Sequence, residues 1–128
     1  MTNPSPRPPT TPPDHEFDLE RDRPLAEMQA EFCRMMGNPS RLLMLYALRD
    51  QERCVSELAE LLETPQPGIS QHLAAMRKLG IVRSRRQGQH MFYRLSDPNI
   101  SSACDMIRGI LQRNMLTRSS LFTPEAKG

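Results

Sequence analysis

The sequence predicts a mainly α fold of five helices with one small two-stranded β-hairpin. Three observations lead there. Apolar residues recur at i, i+3 and i+4 spacing in several separate runs, proline or glycine punctuates those runs, and a polar glycine turn separates two short strand-like runs near residue 88.

The N-terminal 24 residues hold seven of the chain's 12 prolines and almost no apolar periodicity. Such a composition buries too little surface to offset the entropy of ordering, so residues 1–23 are expected to be a disordered, Pro-rich tail. A single domain is expected over 24–116, with a C-terminal tail over 117–128. The first helix is predicted from Leu25 to Met36, with Leu25, Met28, Phe32 and Met35 on one face. Gly37-Asn38-Pro39 breaks it, and Pro39 opens a second helix reaching Leu48, with Leu42, Leu45, Tyr46 and Leu48 available to the core. A polar turn leads to a third helix at Val55–Leu62, where Cys54-Val55-Ser56-Glu57 has the form of a capping box with cysteine in the Ser/Thr position. Thr64-Pro65-Gln66 is a sharp connector. Pro67 then opens a fourth helix that ends at Leu79-Gly80, its inward stripe being Ile69, Leu73 and Met76. Strands are predicted at Ile81–Ser84 and His90–Leu95, around a polar turn containing Arg85, Arg86 and Gly88. Asp97-Pro98-Asn99 stops the second strand, and a last helix runs from Ile100 to Met115. Two short helices with a tight turn, followed by a basic hairpin, form a winged helix-turn-helix.

Composition excludes several classes of function. No apolar run approaches the roughly 20 residues of a membrane helix, and the N-terminus lacks the apolar centre of a signal peptide, so a cytoplasmic location and no membrane partner are expected. Cys33, Cys54 and Cys104 are odd in number and widely spaced, which does not suit a disulfide framework. No phosphate-cradling glycine loop, His-Glu-x-x-His or Cys-x-x-Cys pair is present, and the three histidines are scattered, so no catalytic residue is assigned and an enzyme is not expected.

Charge distribution is more informative than the net charge of +2. From Thr64 to Ser96 there is no Asp or Glu, while Arg77, Lys78, Arg83, Arg85, Arg86 and Arg94 all fall there, leaving the rest of the chain net acidic. Concentrated positive charge on one unit is what a phosphate-facing surface requires. In a helix-turn-helix, the N-terminal residues of the second helix contact base edges. The candidate DNA-binding residues are therefore Gln66, Gly68, Ser70, Gln71 and His72 on the fourth helix. Arg77 and Lys78 are assigned to phosphate, and Arg85, Arg86 and Gln89 to the tip of the wing. His72 has a competing role in packing beside Leu73. The apolar stripes of the first and last helices exceed what so small a monomer covers, so a homodimer through those helices is expected, on double-stranded DNA carrying an imperfect inverted repeat. The competing class is a winged-helix protein-interaction module that never touches DNA.

Several motifs resemble one family. Gly37-Asn38-Pro39-Ser40-Arg41-Leu42, Glu57-Leu58-Ala59, Gln66-Pro67-Gly68-Ile69-Ser70-Gln71-His72-Leu73, Gly80-Ile81-Val82, Arg85-Arg86-Gln87-Gly88 and Phe92-Tyr93-Arg94-Leu95 are similar to stretches of the ArsR-type (ArsR/SmtB) metalloregulators. The resemblance covers about residues 25–115. It implies a homodimeric repressor, with its first and last helices paired across the dimer, that leaves its operator on binding an inducer. The thiolate site that the family places at the third helix is incomplete, with Cys54 present but Ser56 at the second position. The zinc-type site on the last helix keeps Asp97 but has Asn99 in place of histidine and Ile110 at a later ligand position. Of the cysteine pair that other members use for sulfur or oxidant sensing, Cys104 is present, but Tyr46 stands near the second-helix position, and Cys33 lies on the first helix instead. Cys33, Cys54 and Cys104 are thus candidate sensor thiols, for a thiophilic metal or metalloid, a reactive sulfur species or an oxidant. Each also has an inert alternative as a small apolar side chain or, for Cys54, a helix cap.

Overall fold

A computed structural model describes residues 16–117. The expected tails therefore lie largely outside the described residues. The elements run α1 (Leu19–Met35), α2 (Pro39–Ala47), β1 (Arg53–Cys54), α3 (Val55–Leu61), α4 (Gln66–Lys78), β2 (Val82–Gln87), β3 (His90–Leu95) and α5 (Asn99–Thr117).

α1 starts six residues before the expected Leu25, taking Leu19–Arg23 out of the expected tail and into helix. The cause is a cap that the apolar pattern does not show. Asp18 accepts a hydrogen bond from the Glu20 N–H (3.1 Å), and Glu20 and Asp22 complement the helix dipole in the first turn. Asn38 caps α2 in the same way, its Oδ1 accepting from the Arg41 N–H (3.1 Å), with Pro39 in the first turn. At α3 the Glu57 half of the expected box forms, the Cys54 N–H donating to Glu57 Oε1 (3.0 Å).

α3 and α4 end alike. After α3, the Glu63 N–H donates to the Glu60 carbonyl (3.2 Å) and the Thr64 N–H to the Ala59 carbonyl (3.0 Å), with Glu63 at φ +52°. After α4, the Gly80 N–H donates to Arg77 (2.9 Å) and the Ile81 N–H to Met76 (2.8 Å), with Gly80 at φ +81°. Both are Schellman closures, which require one residue in the left-handed region. Glycine takes that position cheaply; Glu63 does so at a cost.

The expected two-stranded hairpin is a three-stranded antiparallel sheet in the order β1-β3-β2. Arg53 and Cys54, expected as turn and cap, pair with Tyr93 and Phe92. A two-residue strand has no periodicity to detect; it exists because β3 offers an open edge. β2 also runs three residues further than expected, its register closing on the Gln87↔His90 pair. The turn is Gly88-Gln89 alone, with Gly88 at φ +63°. Arg85 and Arg86, expected in the turn, are strand residues.

The core joins all these elements. Met44, Leu45, Leu48, Leu58, Ile69, Leu73, Met76, Ile81 and Val82 are fully buried, with Met36 and Leu95 nearly so. The expected α4 stripe of Ile69, Leu73 and Met76 is wholly inside. α1 buries nothing completely, and Leu25 and Met28 lie exposed on it, as do Met106, Ile107, Ile110, Leu111 and Met115 on α5. Among the described residues, no helix is long and apolar enough to cross a membrane.

Gly80→Ala is expected to destabilise the fold by about 1–2 kcal/mol, from the left-handed backbone alone. A Cβ there meets no atom within 4 Å, so no steric contribution enters. Leu73→Ala is expected to cost about 2–5 kcal/mol. Urea unfolding of the two variants checks both values.

Candidate nucleic-acid interface

α4 stands on its buried stripe, so its remaining faces are set by helical geometry. Gln66, Ser70 and Gln71 are exposed and Gly68 is half-buried, on the N-terminal half of the helix. No acidic residue occupies the first turn, and Arg77 and Lys78 close the last turn, exposed. The N–H groups of the first turn and the positive end of the dipole are thus left without an anionic side chain. Arg83, Arg86, Gln89, His90 and Arg94 are exposed along the sheet. The acid-free segment therefore exposes basic and polar residues both on α4 and along the wing.

Two of the expected residues are already engaged. Arg85 reaches back to Glu52 in the turn before β1, with Nη2 at 2.7 Å from Oε1 and Nε donating to both carboxylate oxygens at 2.8 and 3.0 Å. Its Nη1 donates to Gln87 Oε1 (2.8 Å), and the guanidinium lies over the Phe92 ring, 5.2 Å from the centroid. The hydrogen bond from Arg85 holds the Glu52 carboxyl below its usual range, and the same bond raises Arg85. His72, half-buried, accepts at Nδ1 from Arg41 Nε (3.1 Å). Burial, and then the Arg41 charge, push the His72 imidazole below the ordinary histidine value of 6.5.

The three thiols do not gather. Cys54 is buried (8% exposed) at the start of α3, with Sγ 3.2 Å from Ser56 Oγ. Cys33 is exposed on α1, and Cys104 is partly buried on α5 against the core. Cys33 and Cys104 are nonetheless electrostatic neighbours within one subunit: burial, then Asp105, then Cys33 raise the Cys104 thiol. Asp97 serves as a cap, its Oδ1 accepting from the Asn99 N–H (2.9 Å). Among the described residues, no three of His, Cys, Asp and Glu stand where they would share an ion.

Three groups escaped the sequence reading. Glu52 and Arg41 act across 33 and 31 residues of chain, a separation that leaves no periodic trace. Beside Cys104, the Tyr46 ring lies between Arg108 (4.0 Å to the centroid) and Arg49 (5.2 Å), and Arg49 is ion-paired with Asp105. That cluster joins the end of α2 to α5.

Residues 38–84 match the sequence profile described as "Bacterial regulatory protein, arsR family". The HTH-type transcriptional repressor SmtB of Mycobacterium tuberculosis is 34% identical over 85 residues, covering 66% of this chain and 63% of SmtB. The chain thus matches less than two thirds of that relative's length. Rv0081 of the same organism, described as an uncharacterized HTH-type transcriptional regulator, is 31% identical over 100 residues, covering 77% of this chain and 88% of Rv0081. The crystal structure of Rv0081 superposes with a TM-score of 0.68 over 75% of this chain and 97% of that one. The homodimeric winged helix-turn-helix DNA-binding domain Mb0332 from Mycobacterium bovis superposes equally well (TM-score 0.68, covering 79% of this chain and 94% of that one). At 22% identity, that likeness concerns the fold. The pattern of motifs, the profile match and the near-complete overlap with Rv0081 agree, and the chain belongs to the arsR family of bacterial regulatory proteins, with a winged helix-turn-helix fold.

Proposed function

We propose that the protein is a homodimeric transcriptional repressor that binds double-stranded DNA. The observation that carries this is the acid-free surface from α4 into the wing, presented by a helix whose opposite face is fully buried. The family is one of transcription regulators, not enzymes. Gln66, Ser70 and Gln71 read base edges, Gly68 lets the backbone approach the duplex, and Arg77, Lys78 and Arg86 bind phosphate, with Gln89 at the wing tip. Arg85 joins the phosphate set only by leaving Glu52. A protein-interaction module would not need this basic, polar surface.

The dimer uses α1 and α5. Met28 on α1 and Met106 on α5 are 68% and 62% exposed, amid the apolar residues named above, and a second copy would cover both stripes. A two-fold arrangement sets the recognition helices about 34 Å apart, one turn of DNA, and calls for an imperfect inverted repeat. The signal that releases DNA enters through Cys33 and Cys104, which share one neighbourhood on the dimerising helices, and not through Cys54, which is held in the start of α3. The inducer class is a thiophilic metalloid or a reactive sulfur species.

Selection from a randomised duplex pool should enrich inverted repeats with half-site centres one helical turn apart. Affinity for the enriched duplex should fall roughly 10³–10⁵-fold between 50 and 200 mM salt, as expected for about 6–10 phosphate contacts. No enrichment, or a flat salt response, would sink the DNA-binding proposal. Glu52→Gln should tighten binding and steepen the salt slope by about one phosphate contact, and adding Arg85→Ala should cancel that gain. Arsenite or a hydropersulfide should release DNA from the wild type and from Cys54→Ser, but not from the Cys33→Ser/Cys104→Ser protein. Retained release from the triple cysteine-to-serine protein would show that the thiols are not the switch.

A further inference from the structure

Arg41 makes contacts to three helices at once. Its backbone N–H is held by the α2 cap, Asn38 Oδ1, at 3.1 Å. Its Nη1 donates to the carbonyl of Met35, the last residue of α1 (3.2 Å), and lies 3.0 Å from Met35 Sδ. Its Nε donates to His72 Nδ1 of α4 (3.1 Å). His72 is the immediate neighbour of Gln71 and lies two residues from Ser70.

We propose that Arg41 is a positioning residue for operator recognition: it ties the end of α1 to His72 of the reading helix, and the tie holds only while the imidazole is neutral. The proposal rests on the assignment of α4 as the element that reads DNA. The chemistry of the pair is one-sided. Arginine only donates and stays charged at any working pH, so the bond exists only if Nδ1 offers a lone pair. A neutral imidazole does so with its proton on Nε2. Protonation turns Nδ1 into a second donor and sets two like charges against one another at 3.1 Å.

The surroundings leave nothing to compensate. The influences on His72 are burial and Arg41, both of which disfavour the charged form. No carboxylate stands among the causes of that shift, and Arg41 is the one charged group that does. Near pH 7.5 the ring is neutral and the tie is made; below about 6.5, the ordinary histidine value, acid increasingly opposes it. The folded state then binds protons less readily than the unfolded chain, so whatever the tie contributes is lost as pH falls.

The location explains why the tie bears on recognition. Ile69, Leu73 and Met76 anchor α4 to the core. Arg41 fixes the same helix from a second side, against α1, which carries part of the apolar dimer stripe. It therefore sets the angle of the reader relative to the dimer frame, and both half-sites must agree in that angle to match one operator.

The test compares affinity for the enriched inverted-repeat duplex with affinity for a random-sequence duplex, at pH 7.5 and at the acid pH where imidazole ¹⁵N shifts show His72 protonated, at constant ionic strength. Taking the ratio cancels any sequence-independent change of affinity with pH. For the wild type the ratio should fall roughly five- to tenfold on acidification, the scale of one hydrogen bond. His72→Gln keeps an acceptor that does not titrate, and its ratio should stay flat. Arg41→Met should give a low ratio at both pH values. If Arg41→Met does not fold, His72→Gln still decides, because its amide oxygen offers an acceptor that does not titrate. In the free wild-type protein, imidazole ¹⁵N shifts should show the proton on Nε2 at pH 7.5. A wild-type ratio independent of pH, an equal fall in His72→Gln, or a neutral ring protonated on Nδ1 would each overturn the proposal. Failure of every duplex to bind would overturn the DNA assignment of α4, and the ¹⁵N shifts would still report the Arg41–His72 bond separately.

Discussion

The structure depends on the burial of one stripe. Ile69, Leu73 and Met76 sit at i, i+4 and i+7 of α4 with no exposed surface. Because a helix is rigid over 13 residues, burying that stripe leaves no freedom in where the others face. Gln66, Ser70 and Gln71 are outward because Ile69 and Leu73 are inward. The two Schellman closures fix the ends of the motif, one through a glycine and one through Glu63 held in the left-handed region. Strain of that kind persists only where packing on both sides over-determines the backbone. Here α3 and α4 must both reach the core across the four residues from Leu62 to Pro65.

Electrostatics is layered on that frame, and position decides what each cation does. Arg86 and Arg77 are exposed and without an acidic partner among the described residues. Arg85, one residue from Arg86, is held by Glu52 and stacked on Phe92, because its register opposite Phe92 turns it toward the β1 side of the sheet. Alternation along a strand thus divides two adjacent arginines into one without a carboxylate partner among the described residues and one held by Glu52. Arg53 is committed as well, its Nε donating to the Ala47 carbonyl at the end of α2 (2.6 Å). A count of basic residues overstates the charge available to a ligand.

α1 and α5 each carry a polar link to the rest of the fold. Arg41 connects α1 to α4, and the Tyr46–Arg49–Asp105–Arg108 cluster connects α2 to α5. Cys104 lies next to the second link, and Cys33, two residues before Met35, lies close to the first. A change at either thiol would therefore fall beside one of these links and outside the acid-free segment, which contains no cysteine.

By itself, the sequence determined the helical framework, the turn glycines, the α4 stripe and the localisation of charge. Each of these is a local pattern: periodicity, caps and composition are properties of neighbouring residues. The early start of α1 was also local, in the Asp18 cap, but it carried no apolar signal. Tertiary structure alone decided that Cys54 pairs in a third strand, that Arg85 belongs to Glu52, that His72 answers to Arg41, and that Cys33 bears electrostatically on Cys104 within one subunit. Those pairings join residues about 30 to 70 positions apart, and a contact at such distance exists only once the core has folded the chain back on itself.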